Sequence, residues 1–229
     1  METTYTFRFD TGRVESFNLE LDDDSFALQP HSIATTSEPW MELERNQCTA
    51  CTLTRYHYPL CPVAANLGGI VSPFSNDTSS TIVTTQVDFR GRLIEKRCKL
   101  RNGLSSMVGL VMATSGCPIL DKLRPMAYTH QPFSSIDETI YRAVSGYLLA
   151  QYLRNKEELE TPCEIKGLTE IYAAITHLNQ SFAQRLRGFK EDANINALVI
   201  LDTFSAIGAF SIDEQWEKEK LPLFSAYLE

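Results

Sequence analysis

Polar and apolar positions alternate from the start of the chain. In "TYTFRFD", residues 4–10, Tyr5, Phe7 and Phe9 take every second place, the period of a strand with one face buried. A similar run, "VESFNLEL" at 14–21, follows across "DTGR", and the two together predict a β-hairpin. A second strand pair is expected at "STIVTTQVDF" and "RLIEKRCKL", turning at Arg90 and Gly91. Val83, Val87 and Phe89 share one face of its first strand, and Ile94, Cys98 and Leu100 one face of the second, so Cys98 reads as a core thiol.

From about residue 102 the apolar period lengthens from that of a strand to that of a helix. "GLSSMVGLVMAT" predicts a short apolar helix and "PILDKLRPM" another. "SSIDETIYRAVSGYLLAQYLRNKEEL" predicts a long one, with Ser135 as its cap and Glu138 three residues on. In "KGLTEIYAAITHLNQSFAQRLRGF", Leu168, Ile171, Ile175, Leu178, Phe182 and Leu186 form a single stripe, which leaves Glu170 and His177 on the outward face. After "GFKEDAN" comes "INALVILDTFSAIGAF", apolar nearly all round and expected as a central buried helix. Asp202 projects there among Ile195, Leu198, Val199 and Ala206, where a carboxylate is costly unless paired; an ion pair with an arginine such as Arg142 is expected, with a polar pocket as the alternative. The fold class is therefore α+β. A β-rich, cysteine-containing region spans 1–101 and a helical bundle 102–229, the two forming one compact unit.

Composition adds limits rather than an identity. With 229 residues, 43% of them hydrophobic, the chain can bury a core without covalent staples. A net charge of -8 argues against nucleic acid or an anionic membrane as the main partner. The local exception is "RGRLIEKRCKLR", with Arg90, Arg92, Lys96, Arg97, Lys99 and Arg101, read as a solvated edge that resists aggregation, with anion binding as the alternative. The N-terminus has neither a basic start nor an apolar core, and no long uncharged run follows, so a cytoplasmic location is expected.

That compartment changes the meaning of the cysteines. In a reducing environment clustered thiols are metal ligands or catalytic groups more often than disulfides. "NQCTACTLTRYHYPLCPVAANL", residues 46–67, holds Cys48, Cys51 and Cys61 with His57 between them. A Cys-x-x-Cys turn can aim two sulfurs at one tetrahedral ion, and Cys61 can return to it by a loop. "CPVAANL" is echoed by "CPILDKL" at 117–123: in both, a cysteine precedes a proline at a helix start. Such a position favours a thiolate. Cys117 is the expected fourth ligand, with His57 and His130 as alternatives, and Cys163 is given no role. Zinc is the default metal, and an iron–sulfur cluster the alternative, although the dense spacing of ferredoxin-type ligands is absent.

The expected function is a metal-binding accessory or regulatory protein acting on an unidentified protein partner or small molecule. The alternatives are an iron–sulfur electron carrier or sensor, and a thiol-dependent enzyme in which Cys117 is the nucleophile and His130 its base. GxGxxG, P-loop, HExxH and GxSxG motifs are all missing, which removes the usual dinucleotide, NTPase, zincin and hydrolase readings. The cysteine segment ending in "CPVA", with the strand pair after it, is similar over residues 40–73 to bacterial proteins grouped only as a domain of unknown function. That resemblance implies no activity and no catalytic residue.

Overall fold

The structure, a computed structural model, describes residues 1–29, 38–161, 165–187 and 219–228. The two predicted hairpins merge into one antiparallel sheet. Its strands are β1 (Glu2–Phe9), β2 (Val14–Glu20), β3 (Ile82–Phe89) and β4 (Arg92–Lys99), in the order β2-β1-β3-β4. Tyr5 stands opposite Phe17 on one side and Val87 on the other, so the apolar alternation of β1 and β3 falls in step. Thr3, Tyr5, Phe7 and Phe9 are buried with Val83, Thr85, Val87 and Phe89. Between β3 and β4, Arg90 and Gly91 take φ of 54° and 73°, the consecutive left-handed pair that a two-residue type I′ hairpin requires.

β4 is an edge strand, and its chemistry suits that place. Ile94 and Cys98 are half-buried while Leu93 and the basic residues lie exposed, and Arg97 reaches Asp10 with two hydrogen bonds of 2.8 Å. A charged edge of this kind discourages pairing with another sheet. The buried face is covered by α1 (Pro62–Val71) and α2 (Leu100–Thr114), the latter starting directly where β4 ends. Leu100, Leu104, Met107, Val108 and Val111 are all buried, which explains why α2 is apolar on most of its surface.

The remaining helices are α3 (Arg124–Tyr128), α4 (Ile136–Lys156), α5 (Lys166–Arg187) and the short α6 (Ser225–Leu228). The expected Ser135–Glu138 capping box is present at α4: Glu138 N donates to Ser135 Oγ at 3.2 Å, and Ser135 N donates to Glu138 Oε2 at 2.7 Å. The helix expected in "PILDKLRPM" is instead a 3₁₀ turn at Leu120–Leu123 followed by the five residues of α3. Pro125, which has no N–H to give, sits in the first turn of α3, where none is needed, so the α-helix begins only there. Glu170 and His177 lie exposed on α5, as the stripe requires. The expected central helix around Asp202 lies outside the described residues, as does Cys163.

One hydrophobic core runs from Tyr5 and Phe7 through Leu67, Leu104 and Val111 to Ile175, Leu178 and Phe182 of α5, so the β-rich and helical regions share it. A smaller cluster joins Ile140, Ala143, Val144 and Tyr147 of α4 to Leu168 and Tyr172 of α5. A polar tie crosses the main core. Tyr5 Oη shares hydrogen bonds with Ser106 Oγ of α2 at 2.9 Å and with His130 Nε2 at 2.5 Å. Burial pushes the Tyr5 phenol well above its ordinary range and brings His130 down to about 3, so both are neutral near pH 7. No helix among the described residues is long and apolar enough to cross a membrane.

Two measurements test this packing. A Cβ at Gly103 would collide with the Thr85 side chain and stand 2.8 Å from the Phe7 ring, whereas one at Gly146 meets nothing within 4 Å. Gly103→Ala is expected to lower stability by about 1–3 kcal/mol in urea unfolding, and Gly146→Ala to raise it by up to about 1 kcal/mol through helix propensity. Equal effects at the two sites would contradict the close seat of α2 on the sheet. His130 has a folded pKa below that of an exposed histidine, so the unfolded chain binds a proton that the folded chain refuses. Its contribution to stability is complete above about pH 6.5 and is lost as pH falls towards about 3, at up to about 1.4 kcal/mol per pH unit. His130→Gln should flatten that limb of the stability profile, and an unchanged slope would show that His130 is not held neutral.

Candidate functional site: a four-thiol cavity

Short-range hydrogen bonds set the local course of the cysteine segment. Cys51 N donates to Cys48 O at 2.9 Å, closing the Cys-x-x-Cys turn, and Gln47 Nε2 donates to Leu53 O at 3.0 Å. Further on, Leu43 N donates to Pro59 O at 3.0 Å and Cys61 N to Met41 O at 2.8 Å, bringing the two ends of the loop side by side. Cys61 is the N-cap of α1, with Pro62 at the first helical position.

Cys117 arrives from a different direction. Gly116, with φ of 80°, turns the chain away from the end of α2, and Cys117 lies buried beyond it. It does not cap an α-helix as expected. It opens a turn into the 3₁₀ segment, in which Asp121 N donates to Cys117 O at 2.9 Å, and its sulfur accepts the backbone N–H groups of Ile119 and Leu120. The bond from Asn66 Nδ2 to Pro62 O, 2.8 Å, and its longer contact with Ser115 O, 3.5 Å, hold this turn next to the start of α1.

Cys48, Cys51, Cys61 and Cys117 line one cavity of about 20 Å³, closed by Leu178, Phe182 and Arg185 of α5. His57 is exposed and packs edge-on against Tyr56, away from the cavity. His130 faces a separate, larger cavity, and its Nε2 is taken by Tyr5, so no hydrogen bond joins it to Cys117. As the side chains stand, no three His, Cys, Asp or Glu groups among the described residues are arranged to hold a metal ion.

The electrostatics of the cavity centre on Arg185, only 2% exposed. Nη1 donates to Trp40 O at 2.8 Å and Glu42 O at 2.5 Å, and Nη2 donates to Leu43 O at 3.1 Å. Among the described residues no carboxylate lies within ion-pair distance of it. Burial lowers its pKa, while Cys61 and Cys48 act in the opposite sense by favouring its charge. Burial pushes the Cys48 thiol up to about 11, reinforced by the neighbouring Cys61, Cys117 and Cys51 and opposed by Arg185. The Cys117 thiol is likewise raised by burial, against the pull of its two N–H donors. Cys48 and Cys117 are therefore protonated at neutral pH when nothing is bound, which makes neither a ready nucleophile.

Arg185 was not singled out by the sequence, although a signal exists. It lies seven residues after Leu178 and three after Phe182, which places a charged residue on the apolar stripe itself. Cys98 lies apart on β4, half-buried, with its sulfur 3.9 Å from Thr85 Oγ1.

No curated protein and no solved structure matches the chain. A family model described as "Domain of unknown function (DUF6901)" matches residues 3–222, nearly the whole length. The four-thiol cavity, the sheet and the helices that close it all fall within that match, and the chain belongs to this family of unknown function.

Proposed function

We propose that the protein is a metal-binding accessory or regulatory protein whose four thiols, Cys48, Cys51, Cys61 and Cys117, hold one zinc ion. The observation that carries this reading is the convergence of these four cysteines, drawn from a Cys-x-x-Cys turn, a helix start and a distant 3₁₀ start, on one cavity of about 20 Å³. The space suits a single ion better than a multi-iron cluster, which favours zinc over the iron–sulfur alternative. Binding requires the four sulfurs to draw closer to one point than they stand.

The surrounding groups supply what such a site needs. Four thiolates around a dication carry a net charge of about −2, and the buried Arg185 guanidinium, facing no carboxylate among the described residues, offsets part of it. The N–H groups of Ile119 and Leu120 stabilise the Cys117 thiolate once its proton leaves. Because Cys48 and Cys117 start protonated, metal uptake releases protons and affinity falls as pH is lowered. The thiol-enzyme reading has less support, since Cys117 has a raised pKa and no base beside it.

Metal analysis of protein purified without chelator should give about one zinc per chain. Cys48→Ser and Cys117→Ser should each lose it and lower the melting temperature, while Cys98→Ser should keep it. Cobalt substitution should produce the intense visible bands of a tetrahedral thiolate site. If wild-type protein supplied with zinc retains none, and thiol titration is the same with and without the metal, the reading is wrong.

A further inference from the structure

The larger cavity, about 530 Å³, lies between α2, α3, α4 and α5 and is of the size that encloses a small organic molecule. Its wall is apolar where Leu110, Leu123, Met126 and Ile175 meet, and polar where Arg142 enters from α4. Arg142 is partly buried, and only two of its donors have partners. Nη1 donates to Ser134 Oγ at 3.1 Å and Nη2 makes a long contact with Met126 O at 3.4 Å, while the buried Nε has no acceptor. No carboxylate among the described residues lies within ion-pair distance of it.

The other groups facing the cavity sharpen the choice of ligand. Glu138, one turn before Arg142, is occupied with Ser135 N and Gln131 Nε2 and so does not reach across to the guanidinium. His130 is neutral and committed to Tyr5, and Lys96 stands at the rim, 5.6 Å from the Phe133 ring. The cavity thus presents a half-buried cation with spare donors, an apolar wall, and between them neutral polar side chains such as Asn102, Ser105 and Thr139. A guanidinium with free N–H groups fits a planar carboxylate in a two-point contact. A doubly charged anion would meet the Glu138 carboxylate nearby with only one partly buried guanidinium to balance it, and would leave the apolar wall uncovered.

We propose that this cavity binds an amphipathic aliphatic carboxylate, its headgroup on Arg142 and its chain along Leu110, Leu123, Met126 and Ile175. This site is separate from the four-thiol cavity and stands or falls independently of the metal reading.

Calorimetric titration of the full chain with decanoate, decan-1-ol and inorganic phosphate tests it. One saturable decanoate site per chain is expected, with decanol at least tenfold weaker and phosphate without effect. Arg142→Met should weaken decanoate at least tenfold while leaving decanol unchanged, with the fold checked by circular dichroism. Should that variant fail to fold, Arg142→Lys provides the reading: it keeps the charge but lacks the planar fork, so decanoate should bind several-fold more weakly than to wild type. Failure of wild-type protein to bind decanoate, equal binding of decanoate and decanol, or unchanged affinity in the folded Arg142 variant would each overturn the proposal.

Discussion

The buried guanidinium of Arg185 decides how the cysteine segment sits. Its three bonds go to the carbonyls of Trp40, Glu42 and Leu43, so a side chain from α5 satisfies the backbone of a loop more than 140 residues away in sequence. A carbonyl buried without a donor is expensive, and here three are served by one group. Trp40 also packs edge-on against Phe182, one turn earlier on the same helix. The thiol loop is thus not a self-contained knuckle that could be cut out and still fold. It is a surface layer pinned to α5.

The same helix separates the two cavities. Tyr172, Ile175 and Asn179 face the large one, and Leu178, Phe182 and Arg185 the small one. Across from it, Leu120 lines the large cavity and Ile119, two residues after Cys117, the small one. The two cavities therefore share α5 and the 3₁₀ segment as walls, and a shift of either element would be felt on both sides.

What could be read in the sequence was local. Strand alternation at Tyr5, Phe7 and Phe9, the Ser135–Glu138 box and the stripe from Leu168 to Leu186 each rest on neighbours a few residues apart, and each is present in the structure. Joining the two hairpins through β1 and β3 depends on contacts between residues about eighty apart, which periodicity does not encode. The Cys-Pro echo gave the start of α1 correctly but not the turn at Cys117, where the chain enters a 3₁₀ segment and the α-helix begins only at Arg124, with Pro125 in its first turn. Arg185, Asn179 and Tyr172 were hidden for another reason. Stripe reading looks for apolar side chains, and it passes over a polar group that is buried because distant backbone meets its hydrogen bonds, as at Arg185, or that lines a cavity, as at Tyr172 and Asn179.

The central place of β1 has a consequence for how the chain reaches this structure. β1 is hydrogen-bonded to β2, its neighbour in sequence, and to β3, whose first residue is Ile82. During synthesis the first hairpin can close early, but the second edge of β1 stays open until some seventy further residues have been made. Over that interval α1 and Phe74 are already made, but α2 follows β4 without a linker and cannot cover Tyr5, Phe7 and Phe9 before β4 is complete. Such a late, long-range strand pairing is expected to slow folding, and the open edge of a half-built sheet to be where aggregation would start.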